Sequence, residues 1–150
     1  MNRWRRTFLK LTGAALAVGS GFVISGRTLA ATWNKTGFES KALPDAIKAL
    51  GASGAAESKD IVITAPDIAE NGAVVPVAVL SRIPNTRSIS ILSEKNPFPL
   101  AATFDLSGTD AYVSTRLKMG QTSIVRAIVQ ADGKYYTAVK EVKITIGGCG

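Results

Sequence analysis

The chain contains one cysteine, and its neighbours make it the residue with the clearest chemistry. Cys149 lies in the segment Gly147-Gly148-Cys149-Gly150. Ordering a glycine costs more backbone entropy than ordering any other residue, so we expect residues 147–150 to form a flexible arm. A thiol at its ordinary pKa of about 8.5 is a few per cent thiolate at neutral pH and is already nucleophilic. The segment therefore predicts a covalent attachment point that enters clefts in other proteins.

The composition excludes most catalytic chemistry within the chain itself. The sequence of 150 residues contains no histidine, which excludes every triad, metal site or proton shuttle that needs an imidazole. A single cysteine also excludes an intramolecular disulfide and a thiolate cage for zinc or an iron–sulfur cluster. We therefore predict a protein that is not an enzyme and has no catalytic residue, metal or other cofactor of its own.

The net charge of +7 comes mainly from the first 30 residues. This segment carries five basic residues and no acidic ones, whereas the rest of the chain carries 13 basic and 11 acidic residues. A segment with nearly balanced charge lacks the large excess of positive charge that binds nucleic acid, so we predict no nucleic-acid partner.

The first 30 residues have the order of an export signal: a basic start, an apolar run over 11–24 and small residues at 28–31. The apolar run is shorter than the roughly 20 residues that span a bilayer, so no permanent membrane anchor is expected. The twin-arginine consensus is matched by Arg5, Arg6, Phe8, Leu9 and Lys10. The alternative is an ordinary Sec signal with chance arginines. We predict a twin-arginine signal peptide over residues 1–30 and a periplasmic mature protein.

The segment 31–146 is expected to form one domain that begins with a short helix. Leu43, Ile47 and Leu50 have helical spacing, Pro44 suits a first turn and Gly51 suits a stop. This pattern predicts a helix at about 44–50. The small residues at 51–56 predict a flexible connection.

From about residue 60 the pattern changes to short β-rich runs. They lie at 61–65, 73–80, 88–92, 100–106, 111–119, 121–130 and 134–146. Asp132-Gly133 is the strongest hairpin signal, Asn71-Gly72 is a second, and Pro76 favours an edge or a bulge. About seven strands at this spacing predict an all-β, immunoglobulin-like antiparallel β-sandwich over about 60–146.

The sequence resembles the SoxY family, the sulfur carriers of bacterial thiosulfate oxidation. The segment 142–150 is similar to that family's Gly-Gly-Cys-Gly-Gly arm, and it has one glycine fewer, which we expect to shorten or slightly stiffen the tip. The resemblance extends to residues 68–77, 96–97 with 100–104, 114–116 and 131–134.

This resemblance implies an immunoglobulin-like fold and a heterodimer with a SoxZ-like subunit. It implies a periplasmic carrier that holds thiosulfate-derived sulfur on Cys149, with Gly147, Gly148 and Gly150 giving access. It also implies transient partners. A c-type cytochrome couples thiosulfate to the thiol, a thiosulfohydrolase releases sulfate, and a sulfane dehydrogenase, where present, oxidises the remaining sulfur.

The residues alone leave other uses of the thiol open. The chain is alternatively an exported immunoglobulin-like binding or assembly module in which Cys149 makes an intermolecular disulfide. A thiol enzyme such as a one-cysteine peroxidase needs a lowered thiol pKa, and no cation cluster or helix N-terminus lies nearby in the sequence. Arg82, Arg87 and Arg116 are candidates for an anion-binding rim near the arm or for solvated surface.

Overall fold

The computed structural model describes residues 33–145 except residues 107 and 109. The predicted signal peptide over 1–30, with Arg5, Arg6, Phe8, Leu9 and Lys10, lies outside the described residues, as does the arm over 147–150 with Cys149. Within the described part of the chain, no helix has the length and apolar character to cross a membrane.

The described chain begins with two short helices, α1 (Lys35–Glu39) and α2 (Leu43–Ala49). The position of α2 agrees with the predicted range within one residue, with Pro44 in its first turn and Gly51 at φ 75° after its end. Helix α1 is not foreseen by the sequence analysis. The side chain of Asn34 caps it by accepting a hydrogen bond from the Gly37 N–H over 2.9 Å.

Nine strands follow within the described residues. They are β1 (Ala56–Glu57), β2 (Ile61–Thr64), β3 (Ile68–Ala69), β4 (Val75–Ser81), β5 (Thr86–Ser93), β6 (Leu100–Asp105), β7 (Tyr112–Leu117), β8 (Ser123–Ala131) and β9 (Lys134–Ile144). The seven long ones correspond to the predicted runs. The two-residue strands β1 and β3 are additions, too short to leave a periodic pattern.

The described strands form two sheets. The large sheet has the order β1-β9-β8-β5-β6, with β3 also on β9, and the small sheet has the order β2-β4-β7. All pairings are antiparallel except those of β1 and β3, which run parallel to β9. Asp132 and Gly133 both have positive φ, 49° and 74°, as a two-residue hairpin between β8 and β9 requires.

The main core lies between the two sheets. Alternate residues of β4, including Val75, Val77 and Val79, meet Ile89, Ile91 and Val129 of the large sheet, and all six side chains are at most 1% exposed. This alternation is the period of two expected of half-buried strands. The predicted all-β, immunoglobulin-like sandwich is therefore confirmed.

A smaller core lies on the outer face of the large sheet, beneath the helices. Ala46 and Ala52 pack there against Leu92, Leu100 and Ile128. The Ala52 N–H donates to the carbonyl oxygen of Ile47 over 3.0 Å. The prediction of a flexible connection over 51–56 is wrong at Ala52, which is buried.

The turn at Asn71-Gly72 corrects a second prediction. Strand β3 before it pairs with β9 of the large sheet, whereas β4 after it pairs with β2 and β7 of the small sheet. The turn therefore joins the two sheets and does not form a hairpin.

Pro76 lies on β4, the central strand of the small sheet. Strand β2 does not run alongside it at that position, because the pairing of β2 with β4 ends at Thr64 opposite Ala78.

Candidate functional site

Strand β9 leads toward the thiol. Hydrogen bonds hold both of its edges near Thr145, the last residue that the structure describes. On one edge, the N–H groups of Lys143 and Thr145 donate to the carbonyl oxygens of Asp67 and Ala69 over 2.9 and 3.1 Å. On the other edge, the Ile144 N–H donates to Thr122 Oγ1 over 3.0 Å. Thr145 is thus fixed in place, four residues before Cys149 in the sequence.

The Asn71-Gly72 turn lies against the end of β9. The Met119 N–H donates to the Gly72 carbonyl oxygen over 2.6 Å, and the Asn71 side chain accepts from the Ala73 N–H over 2.9 Å. A Cβ atom on Gly72 would collide with the Met119 carbonyl oxygen and would lie 3.1 Å from Ile144 Cγ2. Only glycine permits this close approach of two backbones.

The loop between β5 and β6 joins the same end of the sandwich. Asn96 Nδ2 donates to the Lys118 carbonyl oxygen over 2.7 Å, and the Lys95 N–H donates to Ser123 Oγ over 3.0 Å. Glu94 accepts from Arg126 Nε over 2.8 Å, and both side chains of this pair are mostly buried. The loops 65–74, 94–99 and 118–122 and the end of β9 therefore form one connected surface, which we call the arm base.

Positive charge is in excess at the arm base. Lys140 pairs with Asp67 over 3.0 Å, and Arg126 pairs with Glu94 over 2.7 Å, so these four charges compensate one another. The other charged side chains on the described part of this end, all exposed, are Lys95, Arg116, Lys118 and Lys143 against Glu70 and Glu141. This distribution favours an anionic ligand or an acidic partner surface.

The three arginines singled out by the sequence analysis do not lie together. Arg116 is near the end of β7, at the arm base, whereas Arg82 and Arg87 flank the β4–β5 turn at the opposite end of the sandwich. The three arginines therefore do not form one anion-binding rim, and their exposure agrees with the alternative of solvated surface. The other exposed cations described at the arm base are lysines. No short-range pattern in the sequence marks these lysines, because their proximity depends on how the loops meet.

The same end of the molecule gathers most of the segments that carry the family resemblance. Residues 68–77, 96–97 and 114–116 lie in or beside the arm base, while residues 131–134 form the hairpin at the other end of β9. The contacts of Gly72 with Met119 and of Asn96 with Lys118 were not foreseen. The Asn71-Gly72 and Asn96-Pro97 dipeptides were the available signals for them.

Acidic side chains elsewhere in the described residues do not form a metal site. Within that part of the chain, no group of three or more His, Cys, Asp or Glu side chains is placed to hold a metal ion. Asp105 and Asp110 lie around the β6–β7 connection at the end opposite the arm base, with Gly108 between them at φ 72°. The positive φ of Gly108 is typical of a turn.

Comparison with known proteins agrees with this arrangement. The model of the family described as sulfur oxidation protein SoxY matches residues 47–149, a range that includes Cys149. The solved structure of the sulfur carrier protein SoxY from Chlorobium limicola f thiosulfatophilum is 45% identical, with a TM-score of 0.60. That similarity covers 68% of this chain and 96% of the other.

A second solved structure shares the fold alone. The superoxide reductase (neelaredoxin) from Ignicoccus hospitalis is 22% identical, with a TM-score of 0.52, over 60% of this chain and 83% of the other. Among curated proteins, none matches the chain. The family match spans more than half of the sequence and the Chlorobium protein is similar over nearly its whole length, so the chain belongs to the SoxY family of sulfur oxidation proteins.

Proposed function

We propose that the protein is a periplasmic sulfur carrier that holds thiosulfate-derived intermediates on Cys149 and presents them to other enzymes. The observation that carries this proposal is the position of the only cysteine relative to β9. The backbone of β9 is hydrogen-bonded on both edges up to Ile144 and Thr145, and Cys149 follows four residues later across two glycines. A strand that is hydrogen-bonded on both edges fixes the starting point, and the glycine content of the following segment supports the proposal that the thiol reaches into partner clefts.

The loading step is an oxidation. The Cys149 sulfur forms a disulfide bond to the sulfane sulfur of thiosulfate, the thiol proton goes to solvent and two electrons pass to a c-type cytochrome. The product is an S-thiosulfonate on the cysteine. Thiols react in this way through their thiolate form.

The release step is a hydrolysis. Water attacks the sulfonate sulfur, the bond between it and the sulfane sulfur breaks, and sulfate and two protons leave. Cys149 then carries a persulfide, which a sulfane dehydrogenase oxidises further where one is present. The proposal assigns the catalytic groups for both steps to the partner enzymes, and the lack of histidine in the chain supports this assignment.

The proposal includes a stable partner and an export route. The carrier pairs with a SoxZ-like subunit, as membership of the SoxY family supports. Arg5-Arg6 with Phe8, Leu9 and Lys10 supports export by the twin-arginine route, which moves proteins across the membrane already folded. Gly147, Gly148 and Gly150 give the thiol access to narrow clefts in the transient partners.

Intact-mass measurement tests the proposal. Mature protein isolated from cells that oxidise thiosulfate should carry increments of one sulfur atom or of an S-thiosulfonate group. Because Cys149 is the only cysteine, the variant Cys149→Ser should lose every increment while keeping its circular dichroism spectrum and its SoxZ-like subunit.

Two results would contradict it. One is an unmodified mass from cells that are actively oxidising thiosulfate. The other is a disulfide-linked dimer as the only modified form, with Cys149→Ser losing assembly and keeping thiosulfate oxidation, which would establish the assembly module instead.

A further inference from the structure

We propose that the arm base is the docking surface for the enzymes that act on Cys149. Val74 and Phe98 serve as apolar anchors, and the surrounding lysines face carboxylates on the rim of the partner's active-site cleft. This inference rests on the proposed function. It goes further by assigning the partner contact to particular residues of the folded domain outside the arm.

The length of the arm limits where a partner can sit. Four residues separate Thr145 from Cys149, and an extended chain spans at most about 3.6 Å per residue, so the two Cα atoms lie within about 14 Å. Neighbouring strands are about 4.8 Å apart, and the loop with Phe98 begins two strands from β9, at roughly 10 to 14 Å. A cleft that admits the thiol therefore lies within about 14 Å of Thr145, a distance that also reaches the loop with Phe98.

Exposed apolar side chains concentrate on this surface. Of the seven large apolar side chains exposed in the described residues, four lie at the arm base or on its flank: Ile68, Val74, Phe98 and Ile124. Val74 is 50% exposed and Phe98 is 48% exposed, and they belong to different loops. Exposed apolar residues grouped in this way mark interaction sites, and aromatic anchors dominate interface energies.

The loops that carry the two anchors are held in place before any partner binds. Val74 is two residues from Gly72, whose carbonyl oxygen accepts from the Met119 N–H over 2.6 Å. Phe98 is two residues from Asn96, whose side chain donates to Lys118, the residue before Met119. The two loops are therefore tied to the same segment, and little conformational entropy is lost when a partner docks on them.

The charge of the surface indicates the chemistry of the partner. Lys95 and Lys118 are exposed, and neither forms an ion pair with a residue in the described part of the chain. Lysines that ring an apolar contact complement an acidic rim and accelerate encounter at low salt. The partner is thus a protein whose cleft is bordered by carboxylates around an apolar patch.

Steady-state kinetics with one such enzyme test the inference. The substrate is the mature carrier with its SoxZ-like subunit, loaded as the S-thiosulfonate, and the probe is the purified hydrolase that releases sulfate from it. The variants Val74→Asp and Phe98→Asp should each raise KM about tenfold and leave kcat unchanged. The control Val139→Asp makes the same change at a side chain that is 49% exposed on the middle of β9, and it should leave KM unchanged.

Two charge-reversal variants distinguish long-range electrostatic attraction of the partner from direct contact with it. Lys118→Glu should reduce kcat/KM most at low salt, whereas Lys134→Glu, at the exposed hairpin on the other end of β9, should have no such effect. Phe98→Ala serves as a milder second variant if Phe98→Asp unfolds. The rate at which a small disulfide reagent modifies Cys149 should be the same in all variants.

The outcomes distinguish this inference from the function on which it rests. If the hydrolase turns over the wild-type carrier and KM is unchanged in the Val74, Phe98 and Lys118 variants, the docking surface is wrong and the carrier function stands. If the loaded wild-type carrier releases no sulfate with the hydrolase, both are wrong.

Discussion

The backbone N–H of Thr145 donates to the carbonyl oxygen of Ala69 over 3.1 Å, which joins the end of β9 to the parallel strand β3. On the opposite edge, Ile144 is bonded to the side chain of Thr122. The start of the arm is thus defined by contacts from two loops that are distant in the sequence.

Replacing Thr122 by valine should loosen the end of β9. Thr122→Val removes the hydroxyl that accepts the Ile144 N–H over 3.0 Å, which leaves a half-buried donor without its partner. We expect the free energy of unfolding to fall by about 1 kcal/mol, measured by urea denaturation. Amide exchange at Ile144 should also accelerate. Thr122→Ser keeps the acceptor and should leave the exchange rate unchanged, and equal protection in both variants would contradict this role.

Gly72 should not tolerate a side chain. In Gly72→Ala the new Cβ meets the Met119 carbonyl oxygen, a backbone atom that cannot swing away. We expect a loss of about 2 kcal/mol or more in the free energy of unfolding. Gly54→Ala is the matched control, because nothing lies within 4 Å of its Cβ position, and it should change stability by less than about 0.5 kcal/mol. Thermal unfolding of both variants tests this prediction. Similar midpoints would show that the close approach of Gly72 to Met119 is not required.

The ion pair of Glu94 with Arg126 should contribute more to the free energy of unfolding than the exposed ion pair of Lys35 with Glu39. Glu94→Gln removes the charge from a pair whose side chains are only 18% and 24% exposed. We expect a loss of about 1 kcal/mol, because a mostly buried guanidinium then lacks its counter-ion. The exposed pair Lys35–Glu39 provides the control, and Glu39→Gln should change stability by about 0.3 kcal/mol or less. Equal losses in the two variants would contradict the ranking.

The proposed access role of the arm glycines gives a kinetic prediction. Gly148→Val restricts the backbone and widens the arm next to Cys149, so transfer steps inside partner clefts should slow by about tenfold. Modification of Cys149 by a small disulfide reagent should proceed at the wild-type rate, because it needs no narrow cleft. Thermal stability should be unchanged. A wild-type rate of sulfate release from the S-thiosulfonate form of Gly148→Val would argue against this role.

Much of the sandwich could be predicted from periodicity and turn chemistry. Val75, Val77 and Val79 alternate as a half-buried strand requires, and Asp132-Gly133 meets the positive φ that a two-residue hairpin demands. Helix α2 was marked by Pro44 at its start and Gly51 after its end. These signals are local, so one sequence contains them in full.

The parts that were missed depend on contacts between distant segments. Ala52 belongs to a run of small residues that is typical of a linker, and only the packing of the helices on Leu92 and Ile128 buries it. Asn71-Gly72 was correctly expected to be a turn, but the strands on its two sides belong to different sheets. The gathering of Lys95 and Lys118 at the arm base likewise follows from loop packing and has no short-range pattern.

The parallel pairing of β3 with β9 has a mechanical consequence. Under the proposed function, a withdrawing partner would pull on the end of β9, in part along the strand axis. The bonds to Asp67, Ala69 and Thr122 lie across that axis, so they are loaded in shear and resist together, instead of opening one after another as in a peeled hairpin. Under the proposed function, repeated capture and release of the thiol would therefore leave the domain intact.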